Sequence, residues 1–127
     1  MYYIGKINLK IYCCVTDNIS NDDVVLSDTQ KKHIQEHHPG DYEKFSKYLR
    51  DILSEPDYIL ESKKPFTAIV LKEIITDNKK FKVILRLQTS HDPKGFMNSV
   101  ITFQQVEDKR YRRYIKNGKI LYRRRGL

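Results

Sequence analysis

Three of the four histidines of this chain lie in the segment 33–38, directly before Pro39. Histidine is the side chain that exchanges protons near neutral pH, and it is also a common metal ligand. On a helix, His33 and His37 are four residues apart and share a face, so one substrate or one metal ion can contact both rings. The segment therefore predicts a functional site that works by proton transfer or by metal binding.

The metal interpretation rests on a short motif. Residues 33–37 read H-x-x-E-H, the inverted zinc-protease pattern in which two helical histidines bind zinc and the glutamate activates water. Zinc hydrolysis needs a third protein ligand, and the candidates, Glu107 and His91, belong to no recognisable ligand motif. A match with three fixed positions also arises easily in a histidine-bearing helix. We therefore expect no metal and no other cofactor, and a zinc hydrolase using His33 and His37 is the third interpretation.

The proton-transfer interpretation is cleavage of RNA by attack of its own 2′-hydroxyl, which leaves a 2′,3′-cyclic phosphate. The reaction needs a base, an acid, and cations or donors that stabilise the charged phosphorane. His33 and His37 would transfer the protons. Arg86 would supply charge from a polar strand face and Thr102 a hydroxyl donor, while Lys72 would add to the field around the phosphate. The alternative for His33 and His37 is a helix surface with hydrogen-bonded imidazoles, and the alternative for Arg86 is an exposed arginine that only solvates a strand edge.

The net charge of +8 is concentrated at the C-terminus. Residues 109–127, the C-terminal basic segment, hold nine Lys or Arg and no acid, whereas residues 1–108 hold 15 basic and 16 acidic residues. Tyrosines alternate with these cations, which suits phosphate neutralisation together with base stacking. RNA, tRNA included, is therefore the expected partner. The expected contacts in this segment are Arg110, Arg112, Arg113, Tyr122 and Arg123. A solvated basic face, or a surface that docks an acidic immunity protein or antitoxin, is the alternative.

Size and composition predict one domain over residues 1–127. The chain is 39% hydrophobic and 31% charged, which is the balance of a soluble globular protein. No run approaches the roughly 18 apolar residues of a membrane helix, and the N-terminus lacks a secretory signal pattern. Cys13 and Cys14 are adjacent, a spacing that disfavours a mutual disulfide. We therefore expect a cytoplasmic protein without membrane contact.

The histidine segment is predicted to lie on the first of two helices. Before it, apolar stretches at 2–15 and 24–26 read as strands that could pair as a hairpin. Ser27 or Asp28 offers an N-cap for a helix that ends at Pro39. The histidines would therefore lie near the C-terminal end of this helix.

A second helix is predicted from Asp41, which would cap it, to Pro56. From residue 58 the apolar period becomes two, which is typical of strands. Five strands are predicted, at 58–61, 67–75, 81–88, 99–106 and 119–123. Helices grouped before an antiparallel sheet indicate an α+β fold.

The alternation within the predicted strands assigns side chains to faces. In the third predicted strand after the helices, Arg86 lies on the polar face. In the fourth, Thr102 and Gln104 share one face and Ile101 and Phe103 share the other. If the apolar faces pack under the helices, the opposite face is free to bind.

The order of these motifs resembles a phage-associated nuclease family, the PBECR-type domains, which are grouped with the barnase, EndoU, colicin E5/D and RelE-like nucleases. The resemblance covers about residues 24–123. The segments that carry it are Ser27-Asp28, His33-Ile34, His37 or His38 with Pro39, Glu55-Pro56-Asp57-Tyr58-Ile59, Val100-Ile101-Thr102 and Ile120-Leu121-Tyr122.

This resemblance implies two helices packed on a curved antiparallel sheet and a metal-independent endoribonuclease, of a kind often used as a toxin or in phage conflict. The family's helix histidine would correspond to His33, with His37 or His38 second. The family's cationic residue on a strand would correspond to Arg86, and its hydroxyl residue later in the chain would correspond to Thr102. An acid and an extra histidine stand where a basic residue would be expected, so the second histidine stays open. A non-catalytic RNA-binding or partner-binding module on the same fold is the main alternative.

Overall fold

A single mixed sheet organises the chain in the computed structural model, which describes residues 1–127. Its strands are β1 (Tyr2–Lys6), β2 (Asp23–Leu26), β3 (Tyr58–Glu61), β4 (Thr67–Ile74), β5 (Lys79–Arg86), β6 (Asn98–Val106) and β7 (Ile120–Arg123). The helices are α1 (Leu9–Tyr12), α2 (Asp28–His37), α3 (Asp41–Phe45), α4 (Leu49–Ser54) and α5 (Asp108–Asn117). None of them combines the length and the apolar character that crossing a membrane requires.

The strand order β1-β2-β6-β5-β4-β3-β7 confirms the predicted α+β class. All neighbouring strands are antiparallel except β2 and β6, which run parallel. Their pairing covers only two residue pairs, Val24 with Asn98 and Val25 with Ser99. Beyond it, α2 and α3 contact β6. The backbone N–H of Gln105 donates to the Asp41 carboxylate at 2.9 Å, so a side chain satisfies part of the strand edge.

The core lies between one face of the sheet and helices α1, α2 and α4. The strand residues Phe81 and Phe103 are fully buried there, together with Tyr12, Ile34 and Ile52 from the helices. Because each strand alternates, the neighbouring side chains of β5 and β6 point away from this core. We call that opposite side the second face of the sheet.

The N-terminal prediction is partly wrong. Only β1 is a strand within residues 2–15, and it pairs antiparallel with β2 as the hairpin prediction required. The Asn8 side chain accepts a hydrogen bond from the backbone N–H of Lys10 and begins α1. A cap of this kind satisfies a free N–H group at a helix start, which is why the strand ends there.

The predicted second helix is interrupted, and its predicted cap is wrong. α3 and α4 are separated by a 3₁₀ turn at Ser46–Tyr48. Gly40 is the residue before α3, with a φ of 85° that favours glycine. The Asp41 side chain makes no capping bond because it binds the edge of β6 instead.

The C-terminal basic segment contains α5, which the sequence analysis did not predict. Tyr111 is buried against Leu60, Leu71 and Val106 on part of the second face. The remaining sides of the helix expose Lys and Arg side chains. The cations are therefore part of an ordered helix, and β7 follows it as an edge strand paired with β3.

An irregularity in β6 changes the predicted faces. Ile84 pairs with Thr102 and Leu85 pairs with Val100, so Ile101 has no partner in β5. Such a bulge turns the extra residue out of strict alternation. Ile101 therefore lies beside Thr102 on the second face, and the prediction that it shares the core face with Phe103 is wrong.

Candidate functional site

The largest group of sequence-predicted site residues meets in a cavity of about 390 Å³ between α2 and the second face. The cavity is lined by Thr29, Gln30, His33, His37, His38, Ile84, Ile101 and Thr102. α2 provides one wall, and β5 and β6 provide the floor. The structure thus brings His33, His37 and Thr102 together, and it adds His38.

Local sequence explains why α2 presents its histidines here. The Ser27 side chain accepts a hydrogen bond from the Gln30 N–H at 3.1 Å and fixes the start of the helix. Ile34 is fully buried and directs one side of α2 to the core. His33 and His37 lie on the other side, both exposed, with ring centroids 4.1 Å apart. Two imidazoles can therefore reach one bound group.

His38 follows directly after α2 and is half-buried. Its pKa lies below the ordinary histidine value. Burial is the largest cause, and the charges of Lys82 and Arg110 act in the same direction against the opposing Asp41 carboxylate. The His38 imidazole is therefore neutral at pH 7 and able to accept a proton.

Lys82 is a cation of the second face, and its charge acts on the His38 imidazole. Its Nζ donates to the Tyr114 hydroxyl at 2.9 Å and lies 4.8 Å from the centre of that ring. Burial works to raise the pKa of Tyr114, but the hydrogen bond from Lys82 and the nearby charge of Arg110 outweigh it, so the pKa is lowered. Lys82, Tyr114 and Arg110 thus form a positive group linked to α5.

Lys82 and Tyr114 were not among the site residues predicted from the sequence. Lys82 precedes Ile84 by two residues and therefore shares its face, which the alternation of β5 does indicate. Tyr111, Tyr114 and Ile115 have the spacing of an amphipathic helix, which would have located α5. The alternation of β5 and the spacing in α5 were both readable from the sequence, but many other charged residues surround them.

Arg86 lies on the second face, but it does not line the histidine cavity. Its guanidinium binds the Asp92 carboxylate with contacts of 2.8 and 3.2 Å and also donates to the Leu87 carbonyl. The cation is 5.4 Å from the Phe66 ring centre and 5.3 Å from that of Phe96. These partners hold Arg86 in a clamp on the 87–97 loop. Its predicted role in stabilising the phosphorane stays a prediction.

Asp92, the partner of Arg86, is itself fixed. The backbone N–H of Thr89 and its hydroxyl both bind the Asp92 carboxylate. These bonds, led by that from the Thr89 backbone and joined by the charge of Arg86, hold the pKa of Asp92 below its usual range. A carboxylate with so many donors orders the loop that follows β5.

The other predicted RNA contacts are divided among several places. Arg110 and Arg113 line a second cavity, of about 420 Å³, beside Tyr114. Lys72 lies 3.3 Å from the Asp57 carboxylate and is 15% exposed. Tyr122 packs against the core. Arg112 forms an ion pair with Asp108, and Arg123 is exposed over the Tyr58 ring. Of these predicted contacts, Arg110 and Arg113 are the two that line this second cavity.

The structure offers no third protein ligand for a zinc ion bound by His33 and His37. No group of three or more His, Cys, Asp or Glu side chains is placed to hold a metal ion. Glu107 and His91, the ligands considered from sequence, do not line the histidine cavity. Metal-free chemistry at this site stays a prediction that needs a direct test.

Comparison with known proteins gives one match. The model of a family described as phage-Barnase-EndoU-ColicinE5/D-RelE like nuclease 2 matches residues 4–123. The matched range begins in β1, ends in β7 and contains the whole histidine cavity. The description implies a nuclease and with it a nucleic-acid substrate. No curated protein and no solved structure matches the chain.

Proposed function

Because this chain belongs to the phage-Barnase-EndoU-ColicinE5/D-RelE like nuclease 2 family, we propose that it is a metal-independent endoribonuclease. The observation that carries the proposal is the cavity in which three histidines stand against Thr102. RNA is distinguished from DNA by the 2′-hydroxyl, and this group is the nucleophile in cleavage without a metal. The product is a 2′,3′-cyclic phosphate upstream of the break and a free 5′-hydroxyl downstream.

The reaction requires two proton transfers on opposite sides of one phosphorus atom. A base removes the 2′-hydroxyl proton, the 2′-oxygen bonds to phosphorus, and the bond from phosphorus to the 5′-oxygen breaks as an acid protonates that oxygen. His33 and His37 approach from one helix face, whereas His38 follows the last residue of α2 and has a non-helical backbone. We assign His38, neutral at pH 7, as the base and His33, supported by His37, as the acid.

Charge on the phosphorane is the remaining requirement. Preorganised cations and donors stabilise charge that develops in a transition state, and they act more strongly where water is excluded. Lys82 is a cation of β5, the strand that forms part of the floor, and its charge lowers the pKa of His38, although its side chain does not line the cavity. Thr102 lines the same cavity and has a hydroxyl to donate. These two side chains take the role of phosphorane stabilisation in the proposal.

Purified protein is expected to cleave RNA in the presence of EDTA and to leave 2′,3′-cyclic phosphate ends. The measurement is a gel of total RNA and of tRNA, followed by mass spectrometry of the fragments. A DNA strand of the same sequence serves as the matched control, because it lacks the nucleophile and should stay intact.

Two results would contradict this proposal. Cleavage that stops in chelator and returns with zinc would support the zinc interpretation, with His33 and His37 as ligands. RNA binding without any cleavage would identify a non-catalytic module on the same fold. In that case the cavity would bind RNA without cleaving it.

RNA affinity is expected to depend steeply on salt through Arg110 and Arg113. Each phosphate neutralised on a single strand contributes about 0.7 log units of affinity per log unit of salt. Replacing both arginines with alanine should therefore weaken binding and reduce the slope by about 1.4. The proposed measurement is RNA affinity by fluorescence anisotropy at roughly 50 to 300 mM salt, a range that includes physiological ionic strength.

The matched control for this measurement is the double replacement of Lys109 and Lys116. Both are exposed cations of α5, and neither lines the cavity beside Tyr114. An equal loss of slope in both double variants would mean that the whole helix acts as an unspecific positive surface. A slope unchanged in both would remove α5 from the RNA interface.

A further inference from the structure

Three half-exposed isoleucines form a row across the second face of the sheet. Ile69 of β4 pairs directly with Ile84 of β5, which in turn pairs with Thr102 of β6 next to the bulged Ile101. The row therefore crosses three neighbouring strands. We call Ile69, Ile84 and Ile101 the isoleucine row. The isoleucine row leaves apolar surface exposed on the face of the sheet that borders the histidines.

The isoleucine row is the floor of a cavity of about 490 Å³ that adjoins the histidine cavity. Ile84 and Ile101 line both cavities, so the two cavities adjoin at these side chains. A group bound on the row is therefore the immediate neighbour of a group bound between the histidines. A nucleotide whose phosphate lies at the histidines therefore has this cavity beside it.

The rim of this cavity is suited to an anion. Lys63 and Lys64 lie on the rim, both exposed. Arg110 and Arg113 border the adjoining cavity, which shares Ile69 with the row. Glu61 is the one carboxylate among the lining residues, and Lys119 lies 3.5 Å from it. An apolar floor inside a ring of cations complements a flat, uncharged ring joined to phosphates.

These observations lead to one occupant. We propose that the isoleucine row binds the face of a nucleobase beside the scissile phosphate, and that the substrate is therefore single-stranded RNA. This inference rests on the proposed function for the position of the phosphate. A base inside a duplex is stacked on both faces and cannot lie on a protein surface, whereas a base in a loop or a free end can. The cationic rim neutralises the phosphates on either side.

The test uses nuclear magnetic resonance of protein labelled with ¹³C at the isoleucine δ1 methyl groups. Adenosine 3′-monophosphate is the probe, and ribose 5-phosphate is the matched ligand without a base. An adenine lying on the row shifts the methyl signals of Ile69, Ile84 and Ile101 upfield through its ring current. The buried Ile34 and Ile52 should not move. Ribose 5-phosphate should leave all five signals in place.

A variant pair gives a second measurement. Ile69→Thr keeps a β-branched side chain in β4 but removes apolar contact, and should weaken binding of adenosine 3′-monophosphate roughly fourfold or more, the equivalent of one buried methylene. Ile75→Thr is the control, because Ile75 is 75% exposed and lies outside the cavity. It should bind the nucleotide as the parent protein does.

The outcomes separate this inference from the proposed function. Upfield shifts on the isoleucine row in a protein that cuts no RNA would support the base subsite and overturn the nuclease proposal. RNA cleavage in EDTA with no shift on the row at saturating nucleotide would overturn the base subsite alone. Shifts confined to methyl groups elsewhere would also overturn it.

Discussion

Replacing His33 with alanine is expected to lower the rate of RNA cleavage by about 10²–10⁴-fold, the range that one acid or base contributes. Without His33 the departing 5′-oxygen loses the proton donor that the proposal assigns to it. The fold should be unaffected because His33 is exposed and alanine is the best helix former. Single-turnover cleavage of a labelled RNA in EDTA is the measurement, with circular dichroism to verify the fold.

His91→Ala is the matched control for this prediction. His91 is also exposed, but it lies on the loop after β5, with its ring 6.2 Å from that of Phe66. Its loss should leave the rate unchanged. A His33→Ala protein as active as the His91→Ala protein would exclude His33 from the chemistry. The same comparison with His37→Ala and His38→Ala decides which of them is the second histidine.

Replacing Arg86 with alanine is expected to lower the Tm by about 5–10 °C, because it removes several charge-assisted hydrogen bonds at one place. The Arg86 side chain is 25% exposed and that of Asp92 is 11% exposed, so water replaces these bonds only in part. The rings of Phe66 and Phe96 lose their contact with the cation as well. Thermal unfolding followed by circular dichroism measures the change.

A double-mutant cycle separates this clamp from a direct role in catalysis. If Arg86 acts through Asp92, the double variant with Asp92→Ala should lose less stability than the sum of the single variants. Arg112→Ala, which breaks the exposed pair with Asp108, should change the Tm by less than about 2 °C. A stable Arg86→Ala protein with strongly reduced cleavage would instead support the role expected from sequence.

The histidine helix could be predicted because its determinants are local. Ser27 at its start and Pro39 after its end are short-range signals, and the i, i+4 spacing of His33 and His37 determines their common face. The strands from β3 onward followed from their period of two. Neither the helix nor the period of these strands depends on which strand lies beside which.

The arrangement across the sheet depended on long-range contacts. Asp92 was one of many acids in the sequence, and nothing local showed that it would hold Arg86. The bulge that moves Ile101 to the second face results from the pairing of β5 with β6. The hydrogen bond from Lys82 to Tyr114 forms only when α5 packs on the sheet. The residues around the histidines were therefore harder to predict than the histidines themselves.

The parallel pairing of β2 with β6 has a consequence for how the molecule folds. It joins Val24 and Val25 to Asn98 and Ser99, two segments far apart in the chain, through only two residue pairs. Contacts of high sequence separation carry a large loop-closure cost and form slowly. The antiparallel strands β3, β4 and β5 can assemble first from nearby segments. The histidine cavity is complete only when β6 has paired with β2 on one side and with β5 on the other. A partly folded chain therefore has no complete cavity.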